Sequence, residues 1–261
     1  MYFTVLTIFP EMFAPQQESI LKRAQKAGLI GIRLVNFRDY ALSKHNNVDD
    51  VPYGGGAGMV LKPEPIYAAV RALPETAGPR KIIITTPQGR VFNQSLAEEW
   101  SKCGELVLIC GHYEGFDERI RELADEEVSL GDFVLTGGEL VAMVIIDAVS
   151  RFVPGVLGGT SAYEDSHAHG LLEYPQYTRP LEFEGKRVPD ILISGHHANI
   201  KRWRRKEALR RTFIRRADLI PKLELEPGDY FLLEELAEEN LAIAAWREKW
   251  QHLRPLPKKR R

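Results

Sequence analysis

The stretch ELVLICGHYEG, residues 105–115, indicates the fold class most directly. After Glu105 it runs through five apolar residues without polar alternation, which is typical of a strand buried on both faces of a parallel sheet. Polar residues and two glycines follow at once, and residues 116–124 then have a helical pattern. A buried strand that passes through a glycine turn into a helix predicts an α/β fold.

The same alternation extends on both sides of that stretch. Further strands are predicted at residues 2–9, 30–37, 81–86 and 128–135. Helices are predicted between them, at residues 19–28, 63–73, 94–102 and 138–152. Residues 1–160 therefore predict one α/β domain with a mostly parallel sheet.

The pattern changes after this domain. Residues 153–166 contain Pro154 and several glycines, and they predict a loop. We expect a flexible linker at residues 161–172 and a small, mainly helical C-terminal domain at residues 173–261. Its main predicted helices span residues 198–216 and 231–251.

The charge balance differs between the two parts. The whole chain has 35 Lys+Arg against 36 Asp+Glu, which at first sight argues against a dedicated nucleic-acid binder. Residues 1–160, however, hold 15 basic and 20 acidic residues, and residues 161–261 hold 20 and 16. Nine basic residues and one acid fall within residues 201–216. This segment is equally consistent with a helix along a phosphate backbone and with a helix that pairs with acidic residues 230–239.

Three segments are predicted to lie at strand ends: residues 86–90, residues 111–115, and residues 130–135 with the Thr-Gly-Gly of residues 136–138. Open α/β sheets bind ligands at this edge, and glycines let the backbone approach a ligand closely. The glycine-rich loop at residues 52–59 fails both the dinucleotide and the P-loop patterns, because Met59 and Leu61 stand where glycine is required and no Lys-Ser/Thr follows.

The sequence closely resembles the bacterial tRNA (guanine-N1-)-methyltransferases of the knotted SPOUT superfamily. The resemblance rests on VDDVPYGGGAGMVLKPEP (48–65), TPQGR (86–90), CGHYEGFDER (110–119), SLGDFVLTGGEL (129–140), SRFVPGVLG (150–158), EDS (164–166), GLLEYPQYTRP (170–180) and GHHANIKRWRR (195–205). The motifs cover nearly the whole chain in order. Val141 departs from the family pattern, which often has Pro there, and His169 stands where an acidic residue is usual.

This resemblance implies methyl transfer from S-adenosylmethionine to N1 of guanosine at tRNA position 37. It implies a trefoil knot in the α/β domain and a homodimer whose active sites are shared between chains. The implied cofactor-binding residues are Pro87, Gly89, Gly111, Tyr113, Glu114, Gly115, Leu130, Gly131, Asp132, Phe133, Val134, Leu135, Gly137 and Gly138.

Three catalytic residues follow from the same resemblance. Asp165 is the base for the N1 proton, Arg151 stabilises the charge that develops on the guanine, and Glu114 orients the methionine end of the donor or assists a Mg²⁺ ion. Without the resemblance, each would be interpreted as an ordinary surface or helix-end charge. The implied tRNA-binding residues are Ser166, Lys201, Arg202, Arg204 and Arg205.

Composition limits the other classes. With only 2 cysteines, no disulfide framework and no cysteine zinc site can form, and no zinc-like ligand spacing occurs. No signal peptide or membrane span is predicted, so we expect a cytoplasmic protein with neither a membrane nor a DNA partner. Two alternatives remain open: a related SPOUT enzyme that acts on another RNA site, and a non-catalytic RNA-binding protein on the same scaffold.

Overall fold

The chain has two compact units, Met1–Thr160 and Ser161–Arg261. The structure is a computed structural model, and it describes residues 1–159, 165–167, 170–223 and 225–252. Each unit has a hydrophobic core of its own.

A five-stranded sheet organises the first unit. Its strands are β1 (Tyr2–Thr7), β2 (Gly31–Asn36), β5 (Arg80–Val91), β6 (Glu105–Cys110) and β7 (Glu126–Ser129), and a separate antiparallel pair is formed by β3 (Asp49–Asp50) and β4 (Val60–Leu61). The order β2-β1-β6-β5-β7 is parallel at every pairing. The prediction of an α/β domain with a mostly parallel sheet is therefore confirmed. All six residues of β6 are buried, as its apolar run predicts.

Helices lie between these strands and after β7. They are α1 (Ser19–Lys26), α2 (Pro63–Arg71), α3 (Gln94–Trp100) and α4 (Glu139–Ser150), together with 3₁₀ helices at Pro10–Gln17, Phe37–Tyr40 and Glu118–Leu123. The N-terminus of α3 is capped by Asn93, whose side chain accepts a hydrogen bond from Leu96 N at 3.0 Å. Helix α4 is largely apolar and packs on β1, β6 and α3.

The predicted extent of the fifth strand, residues 128–135, is wrong. β7 ends at Ser129, because the chain turns at Gly131, whose φ of +151° is rarely adopted by residues with a side chain. The Ser129 hydroxyl donates to Gly131 O at 3.0 Å and accepts from Gly131 N at 3.1 Å, which closes this turn. Residues 130–138 consequently form a loop.

Two further boundaries differ from prediction. Residues 116–124 hold only the 3₁₀ helix Glu118–Leu123, whose start is fixed by the Asp117 side chain accepting from Arg119 N. Strand β5 continues past residue 86 to Val91, but Thr85 and Arg90 both pair with Val128. Residues 86–89 therefore bulge out of the ladder within a strand instead of forming a loop after it.

The second unit is mainly helical. A small hairpin of β8 (Glu182–Phe183) and β9 (Lys186–Arg187) precedes α5 (Asp190–Ile193), α6 (His197–Arg215), a 3₁₀ helix at Ala217–Lys222, α7 (Pro227–Glu239), α8 (Leu241–Ala244) and α9 (Arg247–His252). The single helix predicted at residues 231–251 is interrupted at Asn240, whose backbone is extended and whose side chain caps Ala242 N at 2.9 Å. Leu209, Phe213, Leu233 and Trp250 form the centre of the core.

Part of the predicted linker, residues 161–172, is hydrogen-bonded to the second unit. Ser166 Oγ accepts from Glu173 N at 3.0 Å, and Leu172 N donates to the Thr212 hydroxyl of α6 at 2.9 Å. Leu171 is buried in the core of this unit. Residues 171–172, at the end of the segment, are therefore packed into the second unit and bonded to α6.

Candidate active site

A cavity of about 390 Å³ lies at the carboxyl ends of β5, β6 and β7. Its walls come from the bulge at residues 86–88, the segment after β6 and the loop after β7. The volume falls within the range of small-molecule sites, and the position is the one where parallel α/β sheets bind ligands.

The loops around this cavity are packed directly on one another. Gly138 N donates to Gly111 O at 2.8 Å, and His112 pairs with Gly137 in an isolated bridge. A Cβ at Gly138 would collide with the Thr85 hydroxyl and lie 2.9 Å from the Cα of Cys110. A Cβ at Gly111 would lie 2.8 Å from the ring of Phe116. Gly138 is required because backbone meets backbone there, and Gly111 is required because the Phe116 ring fills the space that a side chain would need.

A buried carboxylate supports this arrangement and was not predicted. Glu139 is 1% exposed, accepts a hydrogen bond from the Thr7 hydroxyl at 2.8 Å and lies 3.9 Å from His112 Nδ1. Within the described residues, neither His112 Nδ1 nor Glu139 Oε2 has a hydrogen-bond partner. Glu139 thus links β1, the start of α4 and the segment after β6. The sequence does not single out Glu139, because it is the first residue of a helix and acidic residues are common at that position.

The glycine-rich loop between β3 and β4 approaches the same region. Gly54, Gly55 and Gly58 have positive φ angles, and a Cβ at Gly58 would collide with the side chain of Glu114. Glu114 N donates to Met59 O at 2.9 Å. The loop is therefore placed against a residue of the cavity, which its failed phosphate-loop pattern did not indicate.

Most of the cofactor-binding residues implied by the resemblance line this cavity. They are Pro87, Gly111, Tyr113, Glu114, Gly115, Leu130, Phe133, Val134, Leu135, Gly137 and Gly138. Gly89, Gly131 and Asp132 are not among the lining residues. Gly89 instead lines a neighbouring cavity with Arg121 and Glu127, and Gly131 forms the turn after β7. Val141, the departure from the family pattern, is in the cavity wall.

The resemblance implies Asp165 as the base and Arg151 as the cation that stabilises the guanine, and these two residues belong to different units. Arg151 follows α4 as its C-cap residue and is half-buried. Asp165 lies in the second unit and is also half-buried, immediately before Ser166. Neither residue lines the cavity.

The basic helix α6 separates into two faces. Arg202, Lys206 and Arg210 form ion pairs with Glu235 and Glu239 of α7. The hydrogen bond from Lys206 lowers the pKa of both carboxyl groups. Pairing with the acidic segment, one of the two interpretations of residues 201–216, therefore holds for this face.

A second face of α6 carries cations that form no ion pair within the described part of the chain. Lys201, Arg204, Arg211 and Arg215 fall within one side of the helix at the spacing of 3.6 residues per turn. Lys201, Arg204 and Arg215 are exposed, and Arg211 is half-buried. This face retains the charge that a phosphate backbone requires.

Arg205 has a structural partner. It donates two hydrogen bonds to Asp229, from Nε at 2.8 Å and from Nη2 at 2.6 Å, and Asp229 is 2% exposed. Asp229 Oδ2 also accepts from Glu226 N at 2.8 Å, which caps α7. The hydrogen bond to Asp229 raises the pKa of Arg205.

We expect Arg205→Gln to destabilise the protein by about 3 kcal/mol, since it would leave the buried Asp229 carboxylate without its counter-charge. The urea midpoint of the second unit measures this effect. Lys201→Gln is the matched control, because Lys201 has no ion pair among the described residues, and we expect an unchanged midpoint. An unchanged midpoint for Arg205→Gln would show that Asp229 is not held by this pair.

No group of three or more His, Cys, Asp or Glu side chains in the described part of the chain is arranged to hold a metal ion. In the same residues, no helix has the length and apolar character needed to cross a bilayer.

Comparison with known proteins matches the chain over almost its whole length. The family model described as tRNA (Guanine-1)-methyltransferase TrmD matches residues 1–222. A tRNA (guanine-N(1)-)-methyltransferase of Desulfitobacterium hafniense is 69% identical over 100% of both chains. Proteins of the same name from Dehalococcoides mccartyi and Dictyoglomus turgidum are 60% and 56% identical, over 92% and 90% of this chain and 99% and 96% of their own.

Proposed function

The chain belongs to the tRNA (guanine-1)-methyltransferase family, and from this premise we propose that it transfers a methyl group from S-adenosylmethionine to N1 of guanosine at tRNA position 37. The observation that carries the proposal is the cavity at the carboxyl edge of the sheet. It is lined by residues of three segments that match the family, at 86–90, 110–119 and 129–140.

The cavity has the chemistry that this methyl donor requires. Leu130, Leu135 and Val141 supply apolar wall for an adenine ring, and the loop of residues 130–138 supplies backbone polar groups. The carboxylate of Glu114 carries the charge that suits an ammonium or sulfonium group. S-Adenosylmethionine, when bound, supplies an electrophilic methyl group on a sulfonium sulfur.

The protein residues have to make guanine N1 nucleophilic. N1 carries a proton, and we assign its removal to the carboxylate of Asp165. The electron pair left on N1 forms the new N–CH₃ bond while the S–CH₃ bond breaks, and its electrons remain on sulfur as a neutral thioether. Deprotonation places negative charge toward O6, and the guanidinium of Arg151, which stays protonated, stabilises it.

We assign Glu114 the orientation of the methionine end of the donor. Its backbone is fixed to Met59 and its side chain is packed against Gly58, so the glycine-rich loop holds it in place. We assign no role in methyl transfer to the Mg²⁺ ion that the resemblance implies. The described residues contain no group of three or more acidic, histidine or cysteine side chains that could hold it.

We further propose that the first unit is a SPOUT domain whose C-terminal part is threaded into a trefoil knot. The support is the close packing of Gly138 on Thr85, Cys110 and Gly111, which brings the chain after β7 back across the ends of β5 and β6.

We propose that the second unit is the tRNA-binding domain, with Ser166 and the basic residues of α6 as contacts. Of these, Lys201 and Arg204 have no ion pair among the described residues, whereas Arg202 and Arg205 do.

A homodimer with shared active sites is the quaternary structure we propose. Leu140 and Val144 lie one turn apart on α4 and are 45% and 46% exposed, and Phe133 and Val134 of the preceding loop are 55% and 81% exposed. These four exposed apolar side chains lie on α4 and on the loop that leads into it, and an exposed apolar surface often marks a protein interface.

Val144→Glu is therefore expected to convert the dimer to a monomer in analytical ultracentrifugation and to abolish turnover. Leu42→Glu is the matched control, because Leu42 is 92% exposed and lies outside this patch, and it should remain dimeric. A Val144→Glu protein with the sedimentation of the unmodified dimer would exclude α4 from the interface.

The proposed activity is tested by methyl transfer to a defined tRNA transcript, with the product base mapped. Methylation of a different nucleotide would indicate a related enzyme with another target. Specific tRNA binding without methyl transfer would indicate a non-catalytic RNA-binding protein.

A further inference from the structure

A second cavity lies within the C-terminal unit, apart from the residues assigned above to methyl transfer. Its volume is about 450 Å³, and it lies between residues 174–181 and the first turns of α6. It is lined by Tyr174, Pro175, Gln176, Tyr177, Thr178, Arg179, Leu181, Val188, Leu192, Ile193, Ile200 and Arg204. We call it the tyrosine cleft.

Two aromatic side chains, Tyr174 and Tyr177, line the tyrosine cleft. Tyr177 is 49% exposed, and its ring centroid lies 6.5 Å from that of Trp203. The guanidinium of Arg204 lies 4.8 Å above the ring of Tyr174. The remaining lining residues are largely aliphatic, so a planar apolar group would find both a stacking surface and an apolar wall.

The charge of the tyrosine cleft is positive. None of its lining residues is acidic, and within the described residues neither Arg179 nor Arg204 forms an ion pair. Arg204 also belongs to the exposed cationic face of α6, with Lys201 and Arg215. The cations on the other face of α6 are paired with carboxylates of α7. Cations without an ion pair among the described residues are therefore found on the face of α6 that carries Arg204.

We propose that the tyrosine cleft binds one unpaired nucleotide of the tRNA, with the base stacked at Tyr177 and the phosphate at Arg204 and Arg179. The proposal rests on the proposed function, because it takes tRNA as the substrate. Unpaired bases are recognised by stacking on aromatic side chains and by cations that follow the backbone. Bases inside a duplex are already stacked on their neighbours, which is why the occupant is a single-stranded position.

The first test compares Tyr177→Ala with Phe183→Ala in the full chain. Phe183 is a 64% exposed aromatic residue of the β8–β9 hairpin that does not line the cleft. We expect Tyr177→Ala to raise the Kd for tRNA transcript about tenfold, which corresponds to the loss of one base–aromatic stack. Phe183→Ala should bind as the unmodified protein does. Equal Kd values for both variants would overturn the proposal.

The second test uses charge. Arg204→Gln should weaken tRNA binding and reduce the slope of log Kd against log salt by about one phosphate contact. Lys22→Gln is the control, since Lys22 is a half-buried cation of α1 in the other unit and is paired with Glu18. A salt slope unchanged by Arg204→Gln would overturn the placement of the phosphate.

Photocrosslinking locates the contact independently of activity. A transcript containing 4-thiouridine should crosslink within the peptide that carries Tyr177, and Tyr177→Ala should remove that crosslink. Crosslinks confined to other peptides would overturn the proposal. Binding and crosslinking are measured with unmethylated tRNA and no methyl donor, so an absence of methyl transfer would count against the proposed function alone.

Discussion

Asp165→Asn is expected to lower the single-turnover rate constant for tRNA methylation by about 10²–10⁴-fold, the usual contribution of a positioned general base. The substitution keeps the size of the side chain but removes its capacity to accept the N1 proton. The Kd values for S-adenosylmethionine and for tRNA should change little, because the assigned role is in the chemical step. Single-turnover kinetics with saturating donor and tRNA measure the effect.

Asp39→Asn provides the matched control. Asp39 is an exposed carboxylate in the first unit and does not line the candidate active site. It should leave single-turnover rates unchanged. If Asp165→Asn retains a rate within about threefold of the unmodified protein, far less than a general base contributes, Asp165 is not the base.

Gly138→Ala is expected to weaken S-adenosylmethionine binding at least about tenfold and to lower the free energy of unfolding by about 1–3 kcal/mol, as overpacking does. The added methyl group would meet the Thr85 hydroxyl, Gly111 N at 2.8 Å and the Cα of Cys110. Two of these are backbone atoms of the segment that begins the next cavity wall, so the collision cannot be relieved by a rotamer change. Isothermal titration calorimetry and urea unfolding measure the two effects.

Gly158→Ala tests whether any glycine substitution in this unit would act alike. A Cβ at Gly158 meets no atom within 4 Å, so binding and stability should remain those of the unmodified protein. A Gly138→Ala protein that binds the donor normally would show that the loops at Gly111 and Gly138 are not packed as described.

The parallel sheet could be predicted from the sequence because its strands are short apolar runs. Residues 106–110 are buried without exception, and their pattern has no competing interpretation. The ends of strands were harder to predict. Residues 130–135 are almost as apolar as a strand, but the positive φ of Gly131 and the hydrogen bonds of Ser129 end β7 early. Such a turn depends on backbone angles that periodicity does not encode.

The location of the candidate site could be predicted from the sequence, but the contacts that build it could not. Glycines and strand ends indicated where ligand-binding segments meet, but the partners of those glycines are distant in sequence. Glu139 is connected to Thr7 across 132 residues, and Gly58 is packed on Glu114. Local patterns carry no information about these contacts, so the buried carboxylate and the place of the glycine-rich loop could not be predicted from them.

The basic helix shows where charge counts are insufficient. Nine cations in residues 201–216 were equally consistent with RNA binding and with pairing to an acidic helix. In the structure, each interpretation applies to a different face of α6, because Glu235 and Glu239 contact the cations of only one face. Sequence alone could not assign individual cations, since the assignment depends on how α7 packs on α6.

The most direct measurement of the central claim is the site of methylation on a tRNA transcript that has guanosine at position 37. The purified protein is incubated with S-adenosylmethionine, and the modified base is identified by mass spectrometry of nuclease fragments. We predict a single 1-methylguanosine at position 37 and no product when that position is adenosine. Methylation at another position, or no methyl transfer to any tRNA with guanosine at position 37, would contradict the proposed function.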